Sequence, residues 1–144
     1  MNVESLLSIV LSVEIVNARE ALWAQLSECI DACAIASEAA TDCADECVRF
    51  DCDAGSRSVF LLTLDCMAIC DAVATSLQHF TGAYPDVTRA IVTGCRSVVE
   101  TCVWAGLNAH RPGAGHLFWI ASCARVERAC SKLLQALDTR FEST

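Results

Sequence analysis

Proline and glycine are scarce, with two prolines and six glycines in 144 residues. Few positions therefore force a helix to stop, and abundant alanine and leucine favour an all-α chain. Positive charge is scarce as well: ten Lys and Arg stand against 18 Asp and Glu, a net charge of -8 with a pI near 4.7. That balance argues against nucleic acid, whose phosphates call for basic side chains. An acidic surface keeps a molecule soluble and attracts cations without selecting among them. The N-terminus has no basic n-region, since it reads Met1-Asn2-Val3-Glu4-Ser5, and no small-residue cleavage site follows Leu6–Val13. That apolar run is also too short to span a membrane before Glu14. No Ser-His-Asp order, phosphate loop or HExxH is present, so an enzyme is not expected. A cytoplasmic protein without membrane or nucleic-acid partners is the expectation.

What the chain does have is cysteine, eleven residues of it. In Cys29-Ile-Asp-Ala-Cys33 and its echo Cys43-Ala-Asp-Glu-Cys47, four sulfurs fall within roughly 80° around a helix axis. Cys66 and Cys70 follow four apart, then Cys95 and Cys102 seven apart, and Cys123 and Cys130 seven apart. Steps of four and seven keep side chains on one helical face. Ten thiols are therefore expected to face inward. Cys52, in the turn-like Asp51-Cys52-Asp53-Ala54-Gly55-Ser56, does not join them.

The rest of the pattern sets the architecture. Hydrophobic residues make up 54% of the chain and its mean hydropathy is +0.42, enough for one domain, 1–144, with a real core. Val3, Leu6, Leu7, Val10, Leu11, Val13 and Val16 form a cysteine-free stripe, expected as an N-terminal packing helix over 3–17 that covers the bundle or contacts another subunit. Asn17 is expected to mark a bend. A cysteine-lined four-helix bundle then fills 18–137. Its first helix runs to about Phe50 and is closed by Asp53–Ser56, with Gly55 suited to positive φ. The second runs from about Arg57 to Phe80. The third follows Thr81-Gly82-Ala83-Tyr84-Pro85 with Asp86 as N-cap and ends near His110. The fourth runs from about His116 to Leu137, after the breaker Arg111-Pro112-Gly113-Ala114-Gly115. Short connections between long helices give an antiparallel four-helix bundle with an additional N-terminal helix. Trp23, Trp104 and Trp119 are expected to pack, as is Met67, and His79 to sit at a helix C-terminus.

Leucine or valine would bury more apolar area than cysteine at each inward position, so packing alone does not explain ten thiols. Soft thiolates prefer Cu(I), Zn(II) or iron-sulfur clusters. The tight loop motif of iron-sulfur sites is missing. Zinc wants four ligands in a closed tetrahedron, which facing helices could supply, whereas Cu(I) is satisfied by two or three thiolates along a column. A redox role is a further possibility, with cysteines four apart near the upper limit of disulfide geometry.

At these residues the chain resembles the bacterial copper storage proteins, cysteine-rich four-helix bundles that hold Cu(I) in their cores. The resemblance is carried by the two motifs above and by Leu64-Asp65-Cys66-Met67-Ala68-Ile69-Cys70-Asp71-Ala72. It continues through Thr81-Gly82-Ala83-Tyr84, Thr88-Arg89-Ala90, Cys95, Cys102, His110, Cys123 and Cys130. It implies cytosolic Cu(I) storage or buffering on Cys29, Cys33, Cys43, Cys47, Cys66, Cys70, Cys95, Cys102, Cys123 and Cys130. It also implies entry past His110 and His116, and assembly into homo-oligomers, dimers or tetramers. The chain departs from the family at Ala36, Ala40, Val59, Val92, Val99, Gly106, Trp119 and Val126, about half of the usual core cysteines. Those apolar residues imply a smaller capacity and a fold that is stable without metal. The alternatives are a degenerate bundle acting as an interaction or scaffold module, and a zinc or redox thiol protein.

Overall fold

The computed structural model describes residues 2–49, 54–109 and 113–142. Among these residues the fold consists of four helices: α1 (Val3–Arg49), α2 (Ala54–Gln78), α3 (Pro85–Asn108) and α4 (Ala114–Glu142). They pack in a ring, α1 against α2 and α4, and α3 against α2 and α4, while the diagonal pairs meet only through side chains at the centre. The expected antiparallel four-helix bundle is the observed one.

Two side-chain approaches fix how α1 lies on α4. Cys29 Sγ is 3.9 Å from Cys130 Sγ, and Cys43 Sγ is 3.8 Å from His116 Nδ1. Both obey a single antiparallel register. In it Leu22 stands level with Leu137, Leu26 with Leu133, Cys33 with Val126, Ala36 with Cys123, and Ala40 with Trp119. A bidentate ion pair clips the same two helices from outside, Arg125 Nε and Nη2 donating to Glu28 at 2.9 and 3.0 Å. Arg89 on α3 likewise reaches Asp138 on α4 at 2.8 Å. These pairs are partly exposed, so they orient the helices more than they stabilise them.

The core is built in tiers. Leu22, Leu26, Leu77, Leu133 and Leu137, all buried, close one end with aliphatic side chains alone. Thiols, valines and alanines fill the middle, and His116, Cys43 and Cys47 lie toward the other end. There Gly113, at φ 150°, and Gly115 leave room for the Glu46 carboxylate to lie against the first turn of α4, where a negative charge complements the helix dipole.

Several boundaries differ from the sequence reading. The N-terminal stripe is helical, but α1 continues through Asn17 without interruption, because neither proline nor glycine occurs there to break it. Residues 2–21 are all exposed, so this segment is an arm that leaves the bundle uncovered. Helix α2 starts at Ala54, placing Gly55 inside a helix instead of a turn. Tyr84 takes the N-cap position of α3 without a side-chain bond, Pro85 fills its first turn, and Asp86 instead pairs with Arg89 at 3.0 Å. Helix α4 begins at Ala114 and reaches Glu142, beyond the expected Leu137. Of the three tryptophans only Trp119 packs inside. Trp23 and Trp104 are 57% and 69% exposed, one and two residues past inward positions and therefore turned away from the core. Arg57–Gln78 and Pro85–Asn108 are long and apolar enough to cross a membrane by length and composition; here they are two of the four walls of the bundle, and Asp65, Asp71, Arg96 and Glu100 ride on them.

Candidate metal centre

Cys29, Cys33, Cys43, Cys47, Cys66, Cys70, Cys95, Cys102, Cys123 and Cys130 are all buried, and none of them is in a disulfide. The periodic steps of four and seven are what bring them inside: each helix turns one stripe to the axis, and that stripe carries the sulfur. Cys52 and His110 lie outside the described residues.

Eight of the thiols form one column. Cys33, Cys70 and Cys95, from α1, α2 and α3, have sulfurs all within 4.8 Å of one another. So do Cys66, Cys102 and Cys123, from α2, α3 and α4. Cys66 joins the two groups, 3.9 Å from Cys70 and 3.7 Å from Cys123 across the bundle diagonal. Cys29 and Cys130 extend the column toward the leucine end. Each three-thiol group has one apolar corner. Val126 on α4 stands level with Cys33, and Ala36 on α1 level with Cys123. No fourth Cys, His, Asp or Glu joins either group at that spacing among the described residues.

This geometry selects its ion. A metal about 2.3 Å from each of three sulfurs holds them about 4.0 Å apart in a trigonal plane, so the groups need only a small contraction. A closed tetrahedral zinc site would require a fourth thiolate where valine or alanine stands. A soft ion of low coordination number fits better.

Proton sharing within the column is uneven. The S–H groups of Cys130 and Cys33 bring Cys29 down to about 5. Cys66 is held well below the ordinary thiol range, chiefly by Cys102 and Cys123, and Cys95 likewise by Cys130, Cys33 and Cys70. Their neighbours move the other way. Cys33 is raised by its bond to Cys29, Cys123 by Cys102 and Cys66, and Cys130 by Cys29 and Cys95. Cys70 is pulled down most by Cys33, yet Cys66, Cys95 and burial leave it raised. Cys123 pulls Cys102 down, but Cys66 and burial push it up to about 12. Each tier therefore has one thiol inclined to ionise, surrounded by thiols that keep their protons and donate to it.

A separate pair lies beyond the column. His116 is 1% exposed, and its Nε2 donates to the Gly106 carbonyl at 2.9 Å. That bond turns Nδ1 toward Cys43 Sγ at 3.8 Å. Between this pair and the column stands Trp119, wholly buried, with Ala40 level with it on α1. Its Nε1 meets no oxygen or nitrogen acceptor among the described residues, and the indole lies near enough to Cys66 to favour the thiolate.

Comparison with known proteins decides what this thiol column belongs to. The profile of the family described as Csp, copper storage protein, matches residues 23–135. The chain belongs to that family. Among solved structures, the cytosolic copper storage protein of Streptomyces lividans described with five coppers is 27% identical, covers 82% of this chain and 95% of its own, and superposes with a TM-score of 0.69. The same protein loaded with 10 copper equivalents is 26% identical over 78% of this chain and 85% of that one, at a TM-score of 0.70. A histidine-to-alanine variant is 28% identical over 83% and 96%, also at 0.70. A search of curated proteins finds no match.

In this copper storage protein, apolar residues interrupt the core sulfurs in two distinct ways. Val126 and Ala36 each occupy a single corner of a tier that keeps three sulfurs, whereas Val73 and Val92, one helical step beyond Cys70 and Cys95 toward the leucine end, flank the two-sulfur Cys29–Cys130 pair. Ala40 and Trp119 together break the column. Sequence reading named both residues as lost rungs but missed that they share a level, which requires the α1–α4 register. His116, read as flanking a loop, is instead buried in the first turn of α4. His79 is exposed just after α2, at the far end from Cys43. Met67 is half-buried, and its Sδ accepts from Thr41 Oγ1 at 3.0 Å.

Proposed function

We propose that this copper storage protein holds or buffers copper as Cu(I) in the cytosol, on the thiolates of its core. The observation that carries this reading is the pair of three-thiol groups joined through Cys66. Cys29, Cys33, Cys66, Cys70, Cys95, Cys102, Cys123 and Cys130 form the store. Cys43, Cys47 and His116 form the end at which ions are exchanged, because leucines close the opposite end, and His110 is proposed as a further ligand on the family resemblance alone. No catalytic step, nucleic acid or membrane enters this reading, and copper is cargo. Anaerobic titration of the reduced protein with Cu(I) against a competing chelator tests it. Uptake of at least two ions per chain, about one for each three-thiol group, is expected. No uptake would leave the bundle as a scaffold, and preference for Zn(II) with tetrahedral thiolate bands on cobalt substitution would make it a zinc protein.

The chain is further proposed to assemble as a dimer or tetramer through the arm of α1. This arm lies outside the family match at 23–135, and Leu6, Leu7, Ile9, Val10, Leu11, Val13, Ile15 and Val16 are each 47–62% exposed on it. A helix apolar on most of its circumference is stable only when covered. At the area each such side chain adds on burial, the arm offers about 800 Å² per copy, what a stable interface takes from each partner. Antiparallel pairing of two arms about the Leu11–Ser12 midpoint also sets Glu4 of one copy against Arg19 of the other. Light scattering is expected to give a mass of two or four chains for the full protein and a lower mass once residues 2–18 are deleted. A full-length monomer would refute the assembly without touching copper binding.

A further inference from the structure

The thiol column is interrupted at one level, and what interrupts it is large, aromatic and polar at one edge. On α4 the order is His116, Trp119, Cys123, so the indole lies about 4.5 Å along the axis from one and about 6 Å from the other. The Trp119 and His116 rings are 6.1 Å apart at 50°. The indole reaches across to α3, where a Cβ at Gly106 would lie 3.6 Å from its Cζ3. On the α1 side it faces the small Ala40, so one bulky and one small residue fill a level that could otherwise carry sulfur. With leucines closing the other end, the Cys43–His116 end is the approach to the store among the described residues.

We propose that Trp119 is a gate between the Cys43–His116 pair and the eight-thiol store, setting how fast copper passes in and out while leaving how much is held unchanged. The inference rests on the storage reading. The passage is a ligand exchange with no change of oxidation state. Cu(I) leaves Cys43 Sγ and His116 Nδ1 as its bonds to Cys66, Cys102 and Cys123 form; of the two protons displaced from Cys102 and Cys123, one replaces the ion on Cys43 and the other passes to solvent. The indole must swing aside for the exchange, and its Nε1–H, buried beside Cys66, is the polar group that meets the thiolate there.

Copper uptake from a Cu(I)–chelator complex, followed by stopped flow, tests the gate. Trp119→Ala is expected to load and unload about tenfold faster or more than wild type at equal capacity, while Trp119→Phe, which keeps the bulk, stays close to the wild-type rate. Rates for Trp119→Ala within about twofold of wild type overturn the gate. Because that variant could fail to fold, a second measurement uses the protein with Trp23→Phe and Trp104→Phe, both exposed positions, so that Trp119 alone fluoresces. Its quenching is expected to lag behind the first copper taken from the chelator, and a quench simultaneous with that first copper overturns the proposal. A wild-type chain that takes up several ions while failing these tests sinks only the gate. A chain that takes up none sinks the storage reading with it.

Discussion

Replacing Cys66 by serine is expected to cost the chain about one copper ion and to weaken the hold on a second, where serine at Cys47 leaves both three-thiol groups whole and costs less. The asymmetry follows from position. Cys66 Sγ belongs to the group with Cys102 and Cys123 and also lies 3.9 Å from Cys70 in the next group. It reaches Cys123 across the diagonal at 3.7 Å, so it is the sulfur best placed to bridge ions in adjacent tiers. A serine oxygen keeps the shape but is a hard donor that a soft monovalent ion does not accept. Its own tier is left with two sulfurs, and the Cys33, Cys70 and Cys95 tier loses its bridge. Cys47 lies near the last turn of α1, away from both groups. Native mass spectrometry after anaerobic loading reads both capacities, and equal losses in the two variants would show that the sulfurs act independently.

Acid is expected to drive copper out, and more steeply from the three-thiol tiers than from the Cys29–Cys130 pair. Protons and Cu(I) compete for the same sulfurs. In the Cys66 tier one thiol is already inclined to ionise, while Cys123 is raised and Cys102 stands at about 12. The Cys95 tier has the same division, with Cys33 and Cys70 raised. Filling either tier at neutral pH therefore displaces two protons, and the affinity falls about a hundredfold for each unit of pH lost. In the Cys29–Cys130 pair only Cys130 is raised, so one proton leaves and the fall is about tenfold per unit. Below about 5, where Cys29 itself takes up a proton, the pair steepens too. Affinities measured from pH 8 to 6 with a chelator of known proton dependence test this, and a flat profile would mean that the core thiols are ionised before copper arrives.

The sequence was most informative wherever function rests on periodicity within one helix. Ten cysteines at steps of four and seven have little choice but to face the axis, and Cys29 through Cys130 do. What lay between helices was less legible. That Ala40 and Trp119 occupy one level depends on how α4 slides along α1, and nothing in either segment alone states that. The arm shows the reverse difficulty. Its apolar stripe was plain, but folding it onto the bundle needed a bend at Asn17, and a residue that merely tolerates turns does not enforce one. At Gly55 the turn-like composition misled, because a glycine within a long helix costs only about 1 kcal/mol and the neighbouring turns of α2 absorb that. His116 was placed correctly in sequence and wrongly in depth, since α4 begins two residues before it and turns it to the axis.

The five leucines at the foot of the bundle also decide the traffic. A tube stoppered at one end has no through-flow, so arrival and departure share a single door. On the storage reading proposed above, the ion that settles deepest, beside Cys29 and Cys130, is expected to be the last handed back.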